Sequence, residues 1–427
     1  MKDAGTARNM RRSALFGIWS RVVSELVDLQ DQAPEDFRGH VVNPVSGSVY
    51  ARDTAFAAQV FAAEYYRTQD ERWRSRAKAA LDTLERMDIY SGLDEPIWDR
   101  YGWHFNKGSL ATSGMLLDAV WEAESLLDMN RPAGDEWQRL SRYLESCRVG
   151  PGLFAHDTAK AGGSPPAVQN TTAIALYLLE HMSLKMNQST LPILQERDLV
   201  YSALKQGQRI DGFWPYVYPG LGQQICFRFP SSLRRFVRYL PVLNKYCEKG
   251  GDRSVDFGDI VHHCLVLYYL CKSALLRGSN GSCDWVLRKA WRWIITHLQN
   301  TADGGLRLDF DGEPVPSAPR YCNFRETTSY FLILATLPLL AKMGVLDTEH
   351  RGVGLRILAH IRDRLLEEEG IHPGIKPYEG PIEILRNILP RVGESVAWKG
   401  ACLSGIVLAE TNFPSRMGHF QESGPEG

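Results

Sequence analysis

The sequence predicts an all-α chain folded as an (α/α)6 toroid, a six-hairpin barrel with long loops on one face. Three observations predict it. Strand signals are poor throughout, whereas helical periodicity recurs along the whole chain. The helices alternate between a charged, amphipathic type and a type that is apolar nearly all round. The links between them alternate too, short after one type and long after the other.

Amphipathic helices are expected near 12–30, 70–88, 135–147, 194–207, 283–299 and 349–367. Between them fall helices rich in small and apolar residues, near 53–66, 108–129, 168–183, 257–276, 324–343 and 393–410. A helix without a polar face must be buried on all sides, and one with a charged face lies outside. The alternation therefore gives six outer–inner pairs. Inner-to-outer links such as RTQD (67–70) and GVLDT (344–348) are short. Outer-to-inner links at 31–51, 89–107, 148–167, 208–256, 300–322 and 368–392 are long and rich in Gly, Pro and aromatics. Long structured loops are uncommon unless functional, and these recur at one point of every unit. They should gather on one face, over the starts of the inner helices. No linker divides the chain, so one toroid is expected over residues 1–412, followed by a tail over 413–427.

Composition bounds the function. A hydrophobic fraction of 44% with 23% charged residues is that of a globular protein, and a net charge of -1 provides no field for nucleic acid. The N-terminal thirty residues contain an Arg pair but lack a secretory apolar run, and read as a helix of the mature fold. With no apolar stretch long enough to span a bilayer, the expected location is the cytoplasm. The eight cysteines are scattered without a CxxC pair, so neither a disulfide framework nor a zinc site is expected. No His or carboxylate set has metal-ligand spacing, and no cofactor motif is present. The chain carries 11 Trp, 17 Tyr and 16 Phe, a surplus of rings suited to packing on sugars.

The alternation resembles the (α/α)6 toroids of carbohydrate-active enzymes: polysaccharide lyases, uronyl epimerases and six-hairpin glycosidases. DGFWPY at 211–216 followed by GDIVHH at 258–263 is similar to a loop and inner-helix pairing in toroid proteins of bacterial polysaccharide biosynthesis clusters. The resemblance implies an oligo- or polysaccharide substrate. The acidic signature of class II terpene cyclases is missing, with only Asp309 and Asp311 in its place.

The fourth unit carries the densest set of candidate groups. Asp211, Trp214, Tyr216 and Tyr218 stand on a loop fixed by Pro and Gly, where rings can pack on sugar C–H faces and Asp can accept hydroxyls. The same rings would equally serve as a plug sealing the loop against the ring. Asp259, His262 and His263 open the next inner helix, at spacings that bring the carboxylate beside an imidazole. Such a pair makes a general base, though adjacent histidines cannot both point into one funnel. In the fifth unit, Asn323, Arg325, Glu326 and Tyr330 open another inner helix. The lyases that the chain resembles need a base for the proton at C5 and a neutraliser for the uronate carboxylate, drawn from such residue types. Arg325–Glu326 is otherwise a structural ion pair. Arg228, Arg234, Arg235, Arg238 and Lys245 form a basic segment suited to an acidic glycan. Arg52 and Asp53, His156 and Asp157, Asn170, and Glu394 with Trp398 stand at other inner-helix starts, where each is also a plausible helix cap.

The leading expectation is β-elimination or epimerisation at a uronic acid. His262 or His263 would be the base, assisted by Tyr216 or Tyr330, with Arg325 and Asn323 neutralising the carboxylate. A glycoside hydrolase using two carboxylates is the alternative, with Asp53, Asp157, Asp211, Asp259, Glu326 and Glu394 as the pool. A non-catalytic glycan-binding or assembly protein and a terpenoid cyclase are the remaining readings. Nothing in the sequence marks an oligomeric state.

Overall fold

The computed structural model describes residues 2–43, 49–87, 89, 94–99, 102–107, 109–129, 134–156, 166–185, 192–215, 218, 260–278, 284–300, 306–308, 319–346, 352–361 and 395–411. Among these, twelve α-helices carry the chain: α1 (Lys2–Asp31), α2 (Ala51–Thr68), α3 (Glu71–Glu85), α4 (Leu110–Leu126), α5 (Glu136–Cys147), α6 (Gln169–Lys185), α7 (Arg197–Gly207), α8 (Ile260–Leu276), α9 (Asp284–His297), α10 (Pro319–Lys342), α11 (Gly352–His360) and α12 (Val396–Glu410).

Their boundaries follow local chemistry. Asp70 caps α3 by accepting from the Arg72 N–H, Ser109 caps α4 through Thr112 N–H, and Ser395 caps α12 through Trp398 N–H. Helix α2 ends where Gln69 turns left-handed at φ 58° and returns its N–H to Tyr65 O. Every residue of α2 from Ala51 to Glu64 is buried, as an apolar all-round helix requires. Helix α3 instead buries one stripe, Trp73, Ala77, Ala80, Leu81 and Leu84.

The even-numbered helices close on themselves. α2 packs on α4, α4 on α6, α6 on α8, α8 on α10, α10 on α12, and α12 returns to α2. The odd-numbered helices lie outside this ring: α3 against α2, α7 against α6, α9 against α8, and α11 against α10. α5 reaches α4 through Trp137, which stacks on Trp121 at 5.4 Å, and α1 covers α12. This is the expected (α/α)6 toroid, with helix spans close to those read from periodicity.

The long links are less featureless than their poor strand signal implied. β1 (Val49–Tyr50) joins the hairpin β2 (Asp94–Asp99) and β3 (Gly102–Lys107) in one antiparallel sheet. β4 (Arg148–Gly150) with β5 (Leu153–Phe154), and β6 (Leu298–Asn300) with β7 (Leu306–Leu308), form two more hairpins. Apart from β2 and β3, which run six residues each, these strands are too short to carry the alternation that marks a strand in sequence. Each follows an outer helix and turns the chain back toward the next inner one.

Those links also tie the inner-helix starts into one face. Ser395, at the start of α12, bonds the carboxyl of Asp53 at the start of α2. β1, which leads into α2, pairs with β2, which precedes α4. Leu110 N–H at the start of α4 donates to His156 O (2.8 Å), just ahead of α6. Tyr218 N–H donates to Ala167 O (2.9 Å), joining the segment before α8 to the start of α6. Five of the six starts are thus linked side by side. The tail over 413–427 lies outside the described residues. No helix among the described residues is long and apolar enough to cross a membrane.

Candidate active site

At the starts of α12 and α2 a carboxyl is held in a polar nest. Asp53 is 2% exposed; Asn43 Nδ2 donates to its Oδ2 (3.3 Å), Ser395 bonds it, and Arg52 Nε lies 3.8 Å from Oδ1. The Arg52 guanidinium also lies 4.9 Å from the Tyr50 ring centre, which fixes its direction. Burial raises the Asp53 pKa, and the Arg52 charge with the Asn43 and Ser395 hydrogen bonds only partly oppose it. Oδ1 is buried with no hydrogen-bond partner. A carboxyl in this state retains a proton more readily than an ordinary aspartate, and it has one oxygen free to carry it.

Asn170 and Thr328 match it on alternate inner helices. The Asn170 side chain (2% exposed) keeps Oδ1 buried without a partner in the first turn of α6. On α10, Thr328 (3% exposed) does the same with Oγ1. Each of the three stands about four turns before the end of its helix, at Thr68, Lys185 or Lys342. Unpaired buried polar atoms are costly, and these three, on alternate inner helices, are among several in the described residues, Gln169 Oε1 and Trp121 Nε1 being others.

Around them lie groups with some exposure. Half-buried His156 bonds Thr171 Oγ1 through Nδ1 (2.9 Å), at the entry to α6. His262, in the first turn of α8, is half-buried, as is Tyr218. Burial pushes the Tyr218 phenol pKa up.

Several expected site residues are placed elsewhere. His263 does not face the funnel: it is 0% exposed, enclosed by Phe213, Trp214 and Trp293. Its Nδ1 accepts the Trp214 N–H (3.2 Å), so Nε2 carries the proton and faces Ala290 O (3.3 Å). Burial drives its pKa down to about 3, and a sealed, doubly bonded imidazole is a strut rather than a base. Trp214 offers no stacking face either; it is 0% exposed and its Nε1 donates to Leu204 O (2.8 Å). These rings form the plug between loop and ring. Asp211 is occupied in a turn, pairing with Arg209 (2.6 Å) and accepting from Phe213 N–H (3.2 Å). Tyr330 is buried edge-on to His360 of α11 (5.2 Å), between the two helix layers rather than at the mouth. Trp398 is 4% exposed in the first turn of α12. Asn323, Arg325 and Glu326 fall on the α10 backbone, and their side chains lie outside the described residues, as do Asp157, Tyr216, Asp259, Glu394 and the basic segment over 228–245.

The sequence reading passed over a second charged group, deeper in the ring. Lys272 of α8 bonds Asp118 and Glu122 of α4 (2.8 Å to Glu122), reaching past α6. The Tyr177 and Tyr268 rings lie 5.0 and 5.3 Å from its Nζ. Burial alone would lower the Lys272 pKa, but the two carboxylates outweigh it and raise the pKa well above the usual value. Its signal was present as the lone charge in HHCLVLYYLCKSALL, opposite a carboxylate pair four residues apart on an apolar helix. The Asn43 and Ser395 contributions could have been read only from a loop residue and a helix cap. Among the described residues no group of three His, Cys, Asp or Glu side chains could hold a metal ion.

No protein-family model and no curated protein sequence matches the chain. Among solved structures, it is similar to an unsaturated glucuronyl hydrolase specific for heparin. The TM-score is 0.60 at 14% identity, over 94% of this chain and 98% of that one. Nearly complete coverage of both chains at so low an identity is a likeness of architecture: this chain shares the (α/α)6 toroid of that enzyme.

Proposed function

We propose that the chain is a carbohydrate-active hydrolase that removes an unsaturated uronyl unit from an oligosaccharide, with Asp53 as the proton donor. The observation that carries this reading is the Asp53 nest: a buried carboxyl with a raised pKa and an unpartnered oxygen, at the start of an inner helix. The similar solved structure is of an unsaturated glucuronyl hydrolase, which supplies the substrate class. An unsaturated uronyl unit is an enol ether, and its hydrolysis begins with protonation of the carbon–carbon double bond. Protonation leaves an oxocarbenium ion; water adds to it and gives its proton to the Asp53 carboxylate just formed, and the resulting hemiketal opens to release the rest of the oligosaccharide. One group therefore serves as acid and then as base, where a saturated glycoside would need a second carboxylate. Once the proton has left, the Arg52 guanidinium stands beside the new carboxylate and stabilises it. Asn170 Oδ1, buried without a hydrogen-bond partner, would accept a sugar hydroxyl in this reading.

A second reading is favoured by one residue. His262 is half-buried where His263 is sealed, so it remains the available base for elimination or epimerisation. Ultraviolet absorbance of the conjugated unsaturated uronate separates the two reactions. Hydrolysis of an unsaturated disaccharide consumes the band, and Asp53→Asn should abolish that loss. A band that rises on an intact uronate polymer, and disappears in His262→Ala, would replace hydrolysis with elimination. No change on either substrate would refute both.

A further inference from the structure

The outer side of the ring, next to the starts of α6 and α8, carries an exposed aromatic beside two cations: Gln169 of α6 bonds Gly207 O at the end of α7, and His263 of α8 faces Ala290 O of α9. Trp285, at the start of outer helix α9, is 46% exposed, which is unusual for the largest side chain in a protein whose other described tryptophans are mostly buried. Lys205 Nζ, from the last turn of α7, lies 5.2 Å from the Trp285 ring, and Lys289 Nζ, one turn along α9, lies 5.1 Å from it. Among the described residues neither lysine forms a direct ion pair; the carboxylate that acts on Lys289, Asp211, is itself paired with Arg209 (2.6 Å), so the spot keeps an excess of positive charge.

The turn after α7 is locked against this spot. Gln208 Nε2 donates to Gly212 O (2.9 Å) and to Val286 O (3.0 Å). Gly212 sits at φ +100° with its backbone against Lys289 O, where a Cβ would come within 2.2 Å. That contact holds Ile210, 50% exposed, on the same flank. The platform is thus built by two outer helices and a clamped turn.

We propose that Trp285, Lys205 and Lys289 form a surface subsite for an anionic sugar chain, separate from the Asp53 nest. An indole face packs on the C–H face of a pyranose ring. Lysines beside the ring meet the carboxylates or sulfates of the chain as mobile point charges. The charge arrangement argues for this occupant: Lys205, Lys289 and Arg209 face the single Asp211 carboxylate there, and the surplus positive charge favours an anion. One exposed indole with two lysines beside it is far less than the roughly 800 Å² per partner of a stable protein interface. The inference rests on the reading of the chain as acting on acidic glycans. Its test measures retention instead of turnover, so the two can fail separately.

The experiment is affinity electrophoresis of the full chain in native gels containing polygalacturonate, heparin or neutral dextran. The wild type should be retarded by the two anionic polymers and not by dextran. Trp285→Ala should weaken retention about two- to tenfold, the range of a single stacking contact. Trp285→Phe should retain most of it, and Lys205→Ser with Lys289→Ser should abolish it. Consumption of an unsaturated disaccharide should be unchanged in all of these, and far-ultraviolet circular dichroism reports that each is folded. Equal retention of wild type and Trp285→Ala would overturn the proposal in favour of non-specific charge attraction. Absence of wild-type retention by either anionic polymer would overturn it outright, as would equal retention by dextran.

Discussion

Replacing Lys272 by methionine removes the only cation between Asp118 and Glu122 among the described residues, and should destabilise the ring severely. The three side chains are 4%, 8% and 19% exposed respectively, so water screens them little. At an effective dielectric of about 20, the 2.8 Å contact with Glu122 alone corresponds to roughly 6 kcal/mol before desolvation. Desolvation offsets most of that, but the offset is not recovered when one partner is deleted: a buried charge left unpaired costs about 3–5 kcal/mol. Urea unfolding followed by tryptophan fluorescence measures it. With an m-value of about 3 kcal/mol/M or more for a chain of this size, the midpoint should fall by roughly 1 M. The deficit has a pH signature. Burial raises the folded-state pKa of Asp118 above its unfolded 3.8, against the pull of Lys272. Losing the ammonium raises it further. A carboxyl with a raised folded pKa destabilises the fold as pH rises from its unfolded value through the folded one. The variant should therefore recover towards the wild type as pH falls to about 4. Combining Lys272→Met with Asp118→Leu and Glu122→Gln should restore most of the stability at neutral pH. Unchanged urea midpoints in Lys272→Met, or no recovery in the triple variant, would refute the argument that the charges hold one another in place.

Three further outcomes follow from the same reasoning. Asp53→Asn should cut turnover about 10²- to 10⁴-fold, the usual contribution of a general acid. It should also unfold at a higher temperature than the wild type at pH 8, with the gap closing below pH 4, because a raised pKa on a buried acid opposes folding only where the acid is ionised. His263→Phe removes the acceptor for Trp214 N–H and should cost about 1–3 kcal/mol in urea unfolding, with the pH dependence of turnover unmoved. A shifted pH profile would return His263 to the chemistry. Gly212→Ala forces a Cβ onto Lys289 O at φ +100° and should destabilise by about 1–3 kcal/mol in the same assay.

How much was legible in the sequence differed between fold and site for a physical reason. Burial of a helix on all sides leaves room for few polar residues, each of which must find partners, so the mostly apolar FAAQVFAAEYY or HHCLVLYYLCKSALL announces an inner helix by composition. Six such segments spaced by amphipathic ones leave few closures other than a ring. The β4–β5 and β6–β7 hairpins escaped because two or three paired residues carry no period, whereas the six-residue pairing of β2 with β3 was passed over. At the site, a helix start marks where a residue stands but not which way its side chain turns. His262 and His263 are neighbours, yet one is half-buried and the other is sealed among Phe213, Trp214 and Trp293. The helical step of about 100° per residue decided between them, and the aromatic plug decided which side was wet.

The same geometry accounts for the division of labour between the two charged groups in the ring. A closed ring of inner helices has an axis that is either filled or open. In the lower half it is crossed by Lys272, Asp118, Glu122 and the Tyr177 and Tyr268 rings, with Cys402 close enough to Asp118 for the carboxylate to help raise its thiol pKa. There every charge is answered by another, which rigidifies the scaffold and leaves nothing to bind. Near the helix starts the situation differs: Asp53, Asn170 and Thr328 each keep one buried atom without a hydrogen-bond partner. Charges paired deep in the ring stiffen the scaffold, whereas a carboxyl left with an unpartnered oxygen near the helix starts keeps a proton that chemistry can use.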